Sequence, residues 1–84
     1  MKTEQFKKGV EELGFEVLEY DRSYEFGVAV PKRLGIFTKE SGSIVANVHL
    51  INQYEIQIYQ TPSTSGELYN LITEYSKTPT EERL

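Results

Sequence analysis

The sequence predicts a two-layer α+β domain: an antiparallel β-meander of four or five strands, flanked by an N-terminal and a C-terminal helix packed on one face. Three observations lead there. Apolar residues recur with helical spacing at both ends, as Phe6, Val10 and Leu13 and again as Leu68, Leu71, Ile72 and Tyr75. Between the ends, apolar and polar residues alternate as in strands with one buried face. The links between these runs are short, which forces antiparallel pairing, because a parallel crossover needs about a dozen residues or more.

Each element follows from local chemistry. Thr3 has the character of an N-cap and Gly14 that of a C′ glycine, so a first helix is expected from Glu4 to Leu13. Phe15 to Glu19 reads as a strand closed by a turn at Asp21-Arg22-Ser23. Tyr24, Phe26, Val28 and Val30 then alternate with Glu25, Gly27 and Ala29, giving the cleanest strand pattern in the chain. Pro31 interrupts it, since proline cannot donate to a ladder, and Leu34 to Lys39 is either a second strand or, the reading favoured here, the same strand resumed after a bend. Glu40-Ser41-Gly42-Ser43 makes a turn into Ile44 to Ile51, Asn52-Gln53 another into Tyr54 to Tyr59. Thr64 and Glu67 have capping-box spacing for the last helix; Thr78-Pro79 stops it, and Thr78 is placed to cap a further turn with Pro79 first and Glu81 answering.

At 84 residues the chain is a single α-β(4-5)-α domain, 1–84, because one core of about 100–150 residues is the usual unit. A domain of this size buries only about 60–65% of its unfolded surface, which leaves room for completion by a partner or a second copy. There is no cysteine, so sulfur-based zinc sites, thiolate nucleophiles and disulfides are excluded, in keeping with a reducing cytoplasm. The N-terminal segment lacks the charged-then-apolar order of an export signal, and no apolar run approaches the ~20 residues of a membrane span. A soluble cytoplasmic protein is therefore expected.

Catalytic parts are scarce. His49 is the only histidine and reads as a cross-strand residue, with no cysteine or second histidine to share a metal. Glu11-Glu12 and Glu81-Glu82 are sequence neighbours, so on a helix they point roughly 100° apart instead of converging as an acid and a base. Neither a nucleophile elbow nor a phosphate-cradling glycine pattern is present. The expectation is a non-enzyme with no catalytic residue, metal or cofactor.

Function must then come from a surface. Nine Lys+Arg against thirteen Asp+Glu give a net charge of −4, which disfavours nucleic acid as a partner. Glu16, Glu19, Asp21 and Glu25 crowd one segment and are candidates for contact with a protein, while Lys32, Arg33 and Lys39 crowd the next and are candidates for an anion. Adjacent strands of opposite sign attracting across a hairpin explain both clusters more simply. The face of the meander turned away from the helices is expected to carry Phe37, Val45, Ile51 and Tyr59, which with Tyr69 are further interface candidates, for a partner or for a homodimer. Phe6, Phe15, Tyr24, Phe26, Tyr54 and Tyr75 are assigned to the core.

The stretch Leu71-Ile72-Thr73-Glu74-Tyr75-Ser76-Lys77-Thr78-Pro79-Thr80-Glu81-Glu82-Arg83 resembles the C-terminal helix of small uncharacterised proteins encoded by phages and prophages of Gram-positive bacteria, and Val45 to Tyr59 resembles their last two strands. The resemblance covers about the second half of the chain and brings no catalytic or ligand residues with it. It implies a bacterial cytoplasm and a non-catalytic accessory protein that modulates a host protein, for instance a counter-defence inhibitor of a nuclease of the anti-CRISPR kind. A homo-oligomeric structural or scaffolding component and a nucleic-acid-associated regulator are the alternatives.

Overall fold

The structure, a computed structural model, describes residues 1–20, 23–25, 28–30, 32–59 and 66–83, with 20, 23–25 and 28–30 described by their backbone alone. The first helix, α1, is Thr3–Glu12 and begins one residue before its expected start. Lys2 is its N-cap, with its N–H donating to Gln5 Oε1 at 2.9 Å. Thr3, the expected cap, is committed elsewhere: its N–H donates to the Arg83 carbonyl at 2.8 Å, and its hydroxyl lies 2.7 Å from that of Tyr75. Gly14 ends the helix at φ 95°, a conformation open to glycine and costly for other residues.

Among the described residues six strands follow: β1 (Phe15–Tyr20), β2 (Ser23–Glu25), β3 (Val28–Val30), β4 (Arg33–Thr38), β5 (Ile44–His49) and β6 (Ile56–Ile58). Four of them make one antiparallel sheet in the order β1-β4-β5-β6, and β2 pairs with β3 in a separate two-stranded ladder. This corrects the expectation of one continuous strand from Tyr24 to Val30. Glu25 pairs with Val28, so the chain reverses between them. Tyr20 pairs with Arg33 at the end of one ladder and Ser23 with Val30 in the other. Pro31, after which the strand was expected to resume, lies outside the described residues. Gly27, rather than any change of period, was the sequence signal for the reversal.

The last helix, α2, is Gly66–Lys77, and a single 3₁₀ turn, Thr80–Glu82, follows it. The stop and restart are as expected, but the capping is not. Pro79 is the N-cap of the short turn, and the Thr78 hydroxyl donates back to the Glu74 carbonyl at 3.2 Å. Thr64, the expected cap of α2, lies outside the described residues.

Both helices contribute to one core. Phe6 and Val10 of α1 and Leu68, Ile72 and Tyr75 of α2 pack in a single cluster with Leu34, Ile36, Ala46 and Val48 of the two central strands. Gly9 brings the helices together: a Cβ there would sit 3.0 Å from Leu71 Cδ2. The ladder between β4 and β5 is bulged, with Ile36 opposite Ala46 but Phe37 opposite Ile44, so Val45 is the extra residue. This is why Val45 departs from its expected place. Simple alternation puts it on the outer face, whereas at the bulge it is fully buried in the core cluster.

Candidate functional site

Three neighbourhoods hold the polar and exposed groups that a function would use. The first is the C-terminal segment. Arg83 is only 2% exposed, and among the described residues no carboxylate answers it. Its Nε donates to the Thr78 carbonyl (3.0 Å), Nη1 to those of His49 (2.8 Å) and Leu50 (3.1 Å), and Nη2 to that of Ser76 (3.2 Å). The guanidinium carbon lies 4.5 Å from the centroid of the Tyr75 ring, which in turn stacks on Phe6 at 4.3 Å and 12°. A buried cation normally needs a counter-charge. Here the negative end of the α2 dipole, four carbonyls and an aromatic face supply it together. Tyr75, Thr78 and Arg83, the recognisable residues of the C-terminal pattern, are thus occupied with holding the chain end against α1 and β5.

The second neighbourhood is the turn between β5 and β6. The Tyr54 N–H donates to the Ser76 carbonyl at 2.9 Å and the Gln53 side chain to the Lys77 carbonyl, so the turn caps the C-terminus of α2. The Leu50 N–H donates to the Lys32 carbonyl at 3.0 Å and the His49 N–H to that of Glu55 at 3.1 Å. Tyr54 is held at φ 68°, a left-handed conformation that a tyrosine adopts only when its surroundings enforce it. Its side chain is 67% exposed and that of Ile51 58%, the two most exposed large apolar residues among those described. Beside Ile51 opens a cleft of about 580 Å³, walled by Leu50, Ile51, Thr80, Arg83, the N-cap Lys2 and α1 residues including Lys7. Ligand clefts are typically ~300–1,000 Å³.

The third neighbourhood lies along β1. The sheet order makes β1 an edge strand over all six residues, and among the described residues no backbone bond reaches it from outside the β1–β4 ladder. A shallow groove of about 300 Å³ follows it, lined by Glu11, Phe15, Glu16, Val17, Leu18 and Lys39. Leu18 is 52% exposed.

The candidate residues do not assemble as the sequence suggests. Glu16 and Glu19 are three apart on a strand and point to opposite faces. Glu16 is exposed, while Glu19 lies 3.8 Å from Lys7 Nζ and 3.7 Å from Lys32 Nζ, so the expected acidic patch is divided. Asp21 and the side chain of Glu25 lie outside the described residues. Lys32 and Arg33 are half-buried at one end of β4, and exposed Lys39 follows its other end, roughly 20 Å away at ~3.4 Å per residue, so they form no single basic loop. Phe37 is half-buried. Tyr59 is exposed and its hydroxyl accepts a long bond of 3.4 Å from buried Asn47, while Tyr69 stands exposed on α2. Ile51 is exposed, but on the turn, not the sheet face.

Tyr54 is exposed where a core position was expected, because the chain turns before the alternation of β6 begins. Among the described residues no three of His, Cys, Asp and Glu are grouped to hold a metal, and no helix is long and apolar enough to cross a membrane. His49 Nδ1 lies 3.2 Å from Glu55 Oε2, a local pair on the same turn. Comparison with protein-family models, curated proteins and solved structures gives no match.

Proposed function

We propose that this chain is a non-catalytic protein that acts by occupying a surface of a partner protein, and that the end bearing the cleft and the β5–β6 turn makes the contact. One observation carries the reading: Ile51 and Tyr54 are held out to solvent on a turn closed by the His49–Glu55 bond and fixed by three hydrogen bonds to neighbouring elements. Large apolar side chains on a preorganised turn are what interface hot spots consist of, since little entropy remains to be lost on binding. A tyrosine kept at positive φ has the same sense, because strain persists where the exposed side chain serves a purpose. The bacterial setting, with a host protein as the target and counter-defence inhibition as one form of it, rests on the resemblance of the C-terminal half.

The test is affinity capture from a Gram-positive lysate with the tagged chain and with an Ile51→Ser/Tyr54→Gly variant, both checked for folding by circular dichroism. The expected result is one stoichiometric protein retained by the parent chain and lost by the variant. Equal retention by both, or a stable oligomer with no partner by light scattering, overturns the assignment to this surface.

A further inference from the structure

We infer that β1 is an acceptor strand for an extended, cationic segment of another protein, which adds to the sheet edge over the groove lined by Glu11, Glu16 and Leu18. This surface is separate from the β5–β6 turn and stands on its own observations. Alternate residues of an antiparallel strand turn their N–H and C=O groups away from the paired neighbour, so a six-residue edge that no described residue pairs offers a row of donors and acceptors. Natural edges are usually shortened, bulged or interrupted by proline. At the opposite edge β6 has only three residues, whereas β1 is full length and has no proline.

Charge selects the occupant. Glu11, Glu12 and Glu16 are exposed at the N-terminal end of β1, and Lys39 is the one cation among the described groove residues. A second copy of this chain pairing β1 on β1 would bring its own Glu16 into the same neighbourhood, and like charges across strands repel. The carboxylates that bar self-pairing admit a lysine or arginine. Leu18, more than half exposed on the same face as Glu16, adds a contact for an apolar residue of the incoming strand. Main-chain bonds for affinity and alternate side-chain contacts for specificity are the mode of strand addition. Glu19, already engaged by Lys7 and Lys32, marks where the acidic stretch ends.

The test uses an acetylated, amidated hexapeptide of alternating lysine and valine, the same peptide N-methylated on alternate amides, and a glutamate-valine counterpart, each titrated into the ¹⁵N-labelled chain. The lysine peptide should shift and protect from exchange the amides of Phe15 to Glu19. N-methylation, which keeps charge and side chains but removes the donors, should weaken binding at least ~10-fold, equivalent to about 1.4 kcal/mol. A Glu11→Lys/Glu16→Lys variant should weaken it similarly while leaving the spectrum dispersed. Equal binding of the N-methylated peptide, shifts centred elsewhere, dimerisation through β1, or a Kd weaker than ~1 mM overturns the inference.

Discussion

The segment from Tyr75 to Arg83 and the strand β1 handle backbone polarity in opposite ways. At the C-terminal segment the last carbonyls of α2 are met by the Tyr54 N–H, the Gln53 amide and the Arg83 guanidinium, and the side chain that caps them is itself sealed beneath the surface. Along β1 one side of the ladder is complete, and among the described residues no backbone bond reaches the other. The first arrangement spends its polar groups on a single conformation. The second keeps them available, and the contrast separates what holds this fold from what another molecule can read.

That separation is open to attack. The largest effect is expected from Phe6→Ala, which removes the ring stacked on Tyr75 inside the core and should cost about 3–5 kcal/mol in denaturant unfolding. Arg83→Met keeps bulk but strips the donors from the Thr78 and Leu50 carbonyls, and should cost about 2–4 kcal/mol, since each buried orphan costs about 1–3. A loss below about 0.5 kcal/mol would mean that water replaces the guanidinium and that the segment is not the anchor described. Tyr54→Gly relieves a left-handed tyrosine, so thermal melting should show stability held or raised by up to about 1 kcal/mol while partner capture falls. The smallest change is expected on the other side of the comparison. Glu16→Gln with Leu18→Thr on the edge strand should move stability by no more than about 0.5 kcal/mol, and a much larger loss would place β1 among the elements that hold the fold.

The two helices, and the four-stranded sheet between them, were legible because apolar spacing and short links are local properties of the chain. The antiparallel pairing of Ser23–Glu25 with Val28–Val30 was not, because the alternation of Tyr24 to Val30 shows no break in period, and one glycine alone carries the signal. Val45 was misplaced because a bulge is fixed by the register of β4 against β5, which neither strand encodes by itself. Tyr54 was assigned inward because its spacing to Ile56 and Ile58 matches a strand that in fact starts two residues later. Arg83 carried no signal at all: its burial depends on carbonyls from residues 49, 50, 76 and 78 converging in space. The division of Glu16 from Glu19 follows from strand alternation and was readable, while the engagement of Glu19 by Lys7 and Lys32 depends on how α1 lies across β1.

The bond from the Thr3 N–H to the Arg83 carbonyl, with Phe6 stacked on Tyr75 beside it, closes a loop of nearly the whole chain length. The core that α1 shares with β4 and β5 can form from the first half of the sequence, but the stacking partner of Phe6 and the carbonyl that meets the Thr3 N–H lie at the far end of the described residues. Early segments can therefore settle against one another, but the contacts that tie them down arrive with α2 and the turn after it. Chains truncated before Tyr75 should be cleaved faster by protease than the full sequence, and restoring the segment through Arg83 should restore protection.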